Sequence, residues 1–269
     1  MTYRQKTWLH LLFSALICIC CSLQQEAFAS EDVITGNGST ITGTLIDDYK
    51  SFYDSERLLR IGLGIGVGAL SANTNIDKDV QDWYQKDMRS SSADSFSKSA
   101  KLFGEGSYLI PLSLLSASLK YFDSESSIGN WGAYSARAYL VGSPAMLLMQ
   151  RVTGGSRPGE TDHDANWRPF NDDNGVSGHA FIGAVPFLTL AKMSGDNKYL
   201  KYIAYAASAA AAWSRLNDND HYLSQAALGW YMAFESVDAV FAADGRDKKV
   251  VVHPIAFRDG YGIMAEVSW

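Results

Sequence analysis

Three short stretches of this chain carry residues whose types and spacing could do chemistry. In "QRVTGGSRPGE", Gln150 to Glu160, an apolar run ends in Gly154-Gly155 and Arg157-Pro158 follows in a loop, where a guanidinium can be aimed without helical constraint. In "NGVSGHAF", Asn174 to Phe181, Ser177 is a good helix N-cap, Gly178 leaves the backbone accessible and His179 stands in the first turn. Free N–H groups at such a terminus bind anions. In "SRLNDNDHYLSQ", Ser214 to Gln225, Arg215 and His221 flank an Asn/Asp turn, and Gln225 lies one helical turn beyond His221. A histidine near a helix N-terminus is biased toward neutral imidazole, its nucleophilic form. Taken singly, each stretch has a plainer reading as a solvated turn, an ordinary cap or a structural pair.

Taken together and in this order, the stretches resemble the signature of the type 2 phosphatidic acid phosphatase superfamily, which includes secreted acid phosphatases, lipid phosphatases and vanadium haloperoxidases. That signature reads K-x6-RP, then PSGH, then SR-x5-H-x3-D. Arg157-Pro158, Ser177-Gly178-His179, and Ser214-Arg215 followed after five residues by His221 match it. Three positions depart: Gln150 stands for the lysine, Val176 for the proline and Gln225 for the terminal aspartate.

The resemblance implies that His221 attacks phosphorus and that His179 serves as general acid and base. It also implies that Arg157, Arg215, Ser177 and the Gly178 N–H cradle the phosphate oxygens. Gln150 joins the phosphate-binding set by position, and Arg151 is the neighbouring cation. One residue along a helix is about 100° around it, however, so Arg151 is not expected to replace the lysine. Gln225, at the orienting position, can accept a hydrogen bond from the nucleophile but brings no charge. Slowed catalysis is the expected consequence. Neither a metal nor a cofactor is called for. The expected function is an exported, metal-independent phosphatase acting on phosphomonoesters or lipid-linked phosphates through a phosphohistidine. Two alternatives share the site: a weakened phosphate or head-group binding protein, and a vanadate-dependent haloperoxidase. Asp218, Asp220 and Glu235 are other carboxylates that could stand in for the missing aspartate. The acidic loop Asp162-His163-Asp164 and Asp172-Asp173 reads as solvated rather than cation-binding.

These groups need a scaffold. Apolar, Ala- and Leu-rich runs at 58–72, 106–119, 133–150, 179–193, 200–213 and 222–243 suit helices better than strands. The expected fold is all-α, a single-domain bundle of about six core helices over 58–245, preceded by an irregular segment at 30–57. The tail 246–269 alternates around "RDGY" and reads as a β-hairpin packed on the bundle. "GLGIGVGA", 62–69, lacks a preceding strand and a closing Lys-Ser/Thr; its i,i+4 glycines suit helix packing rather than a nucleotide loop.

Arg4 and Lys6 before "WLHLLFSALICICC", with "AFA" at 27–29, read as a signal peptide over 1–29. Export to the periplasm is the expectation, with secretion or outer-membrane association as alternatives. Cys18, Cys20 and Cys21 all lie in that leader, so no disulfide is expected in the mature chain. The net charge of −6, with scattered Lys and Arg, argues against nucleic acid as a partner. No mature run gives eighteen uninterrupted apolar residues, so the sequence favours a soluble helical bundle over a membrane-spanning one, with peripheral membrane association as an open alternative.

Overall fold

The computed structural model describes residues 41–246 and the backbone of 250–257 and 260–267. The expected leader and its cysteines lie outside these residues. Helices account for about three-quarters of 41–246, and the longest stretch between them is the loop 154–177. They are α1 (Ile41–Phe52), α2 (Ser55–Ala72), α3 (Ile76–Trp83), α4 (Ser91–Leu102), α5 (Gly106–Ser118), α6 (Ser127–Thr153), α7 (Gly178–Met193), α8 (Lys198–Ser208), α9 (Ala210–Asn217) and α10 (Leu223–Arg246). A π-helical turn, Tyr84–Met88, extends α3. Past the helices, β1 (Val250–Phe257) and β2 (Gly260–Val267) pair antiparallel, with Phe257 opposite Gly260. The packing of this pair against helices concerns side chains outside the described set.

Two sequence expectations are corrected here. Residues 41–52, expected to be irregular, form α1. Its buried face, Asp48, Ser51 and Phe52, is mostly polar, so an apolar-run reading passes over it. The six-helix count does not carry over either. The run 200–213 is divided between α8 and α9 at Ala209, and α3 and α4 arise from polar stretches.

The largest wholly buried side chains come mainly from α6, α7 and α10: Val141, Phe181, Val185, Leu188, Met232, Val237 and Val240, joined by Phe52. Small residues set the spacing of these helices. A Cβ on Gly64 would fall 2.5 Å from the Tyr231 ring, and one on Gly68 would fall 2.6 Å from Leu228, so α10 lies directly on the α2 glycines. Gly64 and Gly68 thus form a helix-packing surface, whereas a Cβ on Gly62 or Gly66 would meet nothing within 4 Å, so the packing expected of that second pair is not found. The opposite stripe of α2, Leu59, Leu63, Val67 and Leu70, is exposed.

Two helices tolerate an internal proline because a distant tyrosine completes the hydrogen bonding. Pro186 in α7 cannot donate to the Ile182 carbonyl, and Tyr139 Oη donates there instead at 2.8 Å. Pro144 in α6 leaves the Leu140 carbonyl free in the same way, and Tyr49 Oη donates to it at 3.0 Å. A buried ionic cluster ties α2 to α10: Arg57 Nη1 lies 2.7 Å from Glu235 Oε2 and 3.0 Å from Asp238 Oδ2, and Lys192 meets Asp238 at 2.5 Å.

Candidate active site

The first stretch is positioned by the end of α6. Gly154 takes the left-handed conformation, φ +60°, that terminates the helix, and the chain turns away toward Arg157. Backbone bonds then join the three stretches. Asn174 N donates to the Gly155 carbonyl at 3.0 Å, and Ser177 N donates to the Gln225 carbonyl at 2.9 Å. Gly229 makes the second junction feasible, because a Cβ there would strike the Ser177 carbonyl. Gln150, at the lysine position, donates through Nε2 to the Val176 carbonyl at 2.7 Å and so holds the second stretch against α6.

Ser177 is the N-cap of α7; its buried Oγ accepts the Ala180 N–H at 3.3 Å. Val176 in place of proline is wholly buried in the core and leaves the cap intact. Gly178 opens the helix, with Gln150 Nε2 beside it. His179, 38% exposed, faces a residue the sequence did not single out: its Nε2 lies 3.3 Å from Glu105 Oε1. Burial, then Arg215, lowers the His179 pKa; Glu105 raises it, and Lys101 lowers it.

Arg215 and His221 lie on either side of a turn that α3, the π-turn and α4 grip. Asn217, wholly buried, donates to Asp94 at 2.9 Å and accepts from Tyr84 Oη at 3.2 Å. Gln85 donates to the Leu216 carbonyl at 2.8 Å, Ser97 donates to Asp218 at 2.7 Å, and Gln81 donates to Asn219, whose φ is +60°. Asp77, also wholly buried, accepts the Ser224 N–H at 3.0 Å and its hydroxyl at 2.5 Å, an anion placed at the start of α10. Sequence reading missed these holding groups, whose one signal is their polarity at helical spacing.

Arg215 is 3% exposed and pairs with Asp220; its buried Nε has no partner among the described residues. Burial lowers its pKa, Asp218 raises it, and Arg157 lowers it. Arg157 is exposed, and its Nε donates to Asn174 Oδ1 at 2.9 Å. Arg151 stands apart, exposed and 3.5 Å from Asp173.

His221 precedes α10 rather than opening it, and Gln225 reaches back to it. Gln225 Oε1 lies 2.9 Å from His221 Nδ1 and accepts the Tyr222 N–H at 3.1 Å, while Gln225 Nε2 donates to the Ser156 carbonyl at 2.8 Å. His221 is 5% exposed, and its pKa is lowered to about 3. Burial is the largest cause; the Gln225 bond raises it, and Arg157, Arg215 and His179 lower it. Those three side chains, from three separate stretches, therefore act on one imidazole. None of Asp218, Asp220 and Glu235 takes the place of Gln225 beside His221. Asp220 pairs with Arg215, Asp218 accepts from Ser97 and Asn217, and Glu235 is held by Arg57 and Arg60. In the acidic loop, His163 pairs with Asp162 at 2.7 Å, Asp164 lies 3.5 Å from Lys78, and Asp172 accepts from Asn174 at 2.8 Å.

Residues 133–246, which contain all three stretches, match the model of the PAP2 superfamily. A solved structure similar to this chain is the first transmembrane PAP2-type phosphatidylglycerolphosphate phosphatase from Bacillus subtilis. It aligns with a TM-score of 0.51 at 15% identity, covering 71% of this chain and 97% of the other. Among curated proteins none matches significantly.

Proposed function

We propose that this chain is a phosphatase of the PAP2 type that hydrolyses a phosphate ester without a metal, with His221 as nucleophile. The observation that carries the reading is the Ser156–Gln225–His221 chain of hydrogen bonds. With Gln225 Nε2 given to a carbonyl, its Oε1 faces His221, so Nδ1 carries the imidazole proton and Nε2 keeps a lone pair.

In the reaction, a bond forms from His221 Nε2 to phosphorus while the ester P–O bond breaks, and His179 gives a proton to the leaving alkoxide. Water then attacks the phosphohistidine. His179 takes its proton, the P–N bond breaks, and inorganic phosphate leaves. Arg215, buried with a free Nε–H, and Arg157 neutralise the equatorial oxygens. The Ser177 cap and the opening of α7 offer backbone donors to the same oxygens.

A lipid-linked ester is the favoured substrate class. The exposed apolar stripe of α2 and the exposed Leu112, Leu115, Leu147 and Leu148 on α5 and α6 suit a chain working at a membrane surface. No helix among the described residues is long and apolar enough to cross a membrane. Export to the periplasm, proposed from the leader, would bring the chain to that surface.

The test is phosphate release by the purified chain from nitrophenyl phosphate, phosphatidic acid and a polyprenyl pyrophosphate, beside His221→Ala. Turnover lost in His221→Ala is expected; no turnover in either protein would overturn the reading. The uncharged Gln150 and Gln225 favour one second reading, a phosphate-binding protein without turnover. Calorimetric phosphate binding with no release from any ester would select it.

A further inference from the structure

The connection between α4 and α5 closes one side of the candidate site, although nothing in its sequence matches a phosphatase block. Gly104 lies against His179, so that a Cβ there would come within 3.0 Å of its side chain and its carbonyl. Glu105 meets His179 Nε2. One helical turn earlier, Lys101 Nζ lies 3.8 Å from Asp220 Oδ2, and that same oxygen is the one Arg215 Nη2 holds.

A single carboxylate oxygen flanked by a guanidinium and an ammonium marks a position built for an anionic oxygen. The position that the signature gives to lysine carries no cation. Gln150 carries no charge, and its amide is committed to the Val176 carbonyl. Arg151, beside it in sequence, points its charge toward Asp173. Arg157 and Arg215 alone balance a phosphate dianion, but a further positive charge is needed when negative charge builds on the transferring group. Lys101 comes from a different helix and already acts on His179 through its charge.

We propose that Lys101 is the third cation of the phosphate site, and that the bound phosphate displaces the Asp220 carboxylate from between Lys101 and Arg215. The inference rests on the phosphatase reading and adds a residue outside the three sequence blocks. It makes Asp220 an internal competitor for the anion position. Binding then exchanges one anion for another rather than filling an uncompensated positive pocket.

Titration calorimetry of the purified chain with inorganic phosphate at neutral pH tests it. Lys101→Ala should weaken phosphate binding about tenfold, the loss of one charge-assisted contact at a half-exposed position. Asp220→Asn should tighten binding by removing the competitor. Adding Gln150→Lys to Lys101→Ala should recover most of the lost affinity, which a merely structural role for Lys101 would not allow. Thermal unfolding of each variant establishes that it is folded. Unchanged phosphate affinity in Lys101→Ala overturns the role of Lys101, and weaker binding in Asp220→Asn overturns the displacement. A wild-type chain that binds no phosphate defeats the site itself, and so separates that failure from a failure of Lys101 alone.

Discussion

Gln225 Oε1 meets His221 Nδ1 at 2.9 Å while the other end of the same amide donates to the Ser156 carbonyl at 2.8 Å. Three groups are thereby locked into one arrangement. The carbonyl fixes which way the amide faces, and the amide fixes which imidazole nitrogen carries the proton. At the third position of α10, Gln225 also accepts the backbone N–H of Tyr222, which caps that helix. The nucleophile is thus oriented by helix capping and by a backbone carbonyl rather than by a carboxylate.

Replacement of Gln225 by Glu tests this arrangement. A carboxylate can keep the bonds to His221 and Tyr222, but its second oxygen faces the Ser156 carbonyl with no proton to share. Leaving that buried acceptor unpaired is expected to cost about 1–3 kcal/mol of stability, read by denaturant unfolding. The added charge favours imidazolium, so the His221 pKa should rise above its value of about 3. Histidine NMR titration would show the rise, and the acid limb of the rate profile should move to higher pH with it.

The depressed pKa of His221 also has a consequence for stability. Its folded-state value of about 3 lies below the ordinary 6.5, so protons bind the unfolded chain in preference. The contribution of His221 to stability is complete above pH 6.5. It is lost as pH falls from 6.5 toward 3, by up to about 1.4 kcal/mol per pH unit. His221→Gln removes the titrating group. The stability difference between wild type and variant should therefore shift against wild type between pH 7 and pH 4 in urea unfolding. A constant difference across that window would show that His221 is not buried neutral.

The three chemical stretches were legible in sequence because each packs its meaning into a few adjacent residues. The groups that hold them were not. Asp77, Tyr84, Asp94 and Ser97 reach the Arg215–His221 turn from helices whose mean character is polar, and apolar periodicity finds only helices that face the core. Nor could the sequence reveal what holds Gln225, because its partner is a backbone carbonyl sixty-nine residues away. The same blindness to pairing hid the two tyrosines behind Pro144 and Pro186, since neither is near its proline in the chain.

Those tyrosines supply a prediction about the scaffold. Tyr139→Phe leaves the ring packed but takes away the hydroxyl that donates to the Ile182 carbonyl, which Pro186 has already denied its helical partner. A loss of about 1–3 kcal/mol is expected, the cost of an unsatisfied buried acceptor. Tyr49→Phe, at the partly exposed Leu140 carbonyl, should cost less, because water can reach that group. Chemical denaturation of both variants checks the order; equal losses would refute the proline-rescue account.

Gly229 and Gly62 provide the sharpest contrast between position and residue type. Both are helical glycines, and alanine is favoured over glycine in a helix interior by about 0.5–1 kcal/mol. At Gly62 a Cβ meets nothing within 4 Å, so Gly62→Ala should stabilise the chain by roughly that amount. At Gly229 the new methyl would collide with the Ser177 carbonyl and crowd Ala180 Cβ at 3.0 Å. Backbone cannot rotate aside as a side chain can, so α10 must move away from the start of α7. That displacement separates the Ser177–Gln225 backbone bond and carries Gln225 with it. Gly229→Ala is therefore expected to lower both the melting temperature and the rate of phosphate release, whereas Gly62→Ala should raise the first and leave the second unchanged. A Gly229→Ala protein with wild-type turnover would show that the junction of α7 and α10 does not set the position of His221.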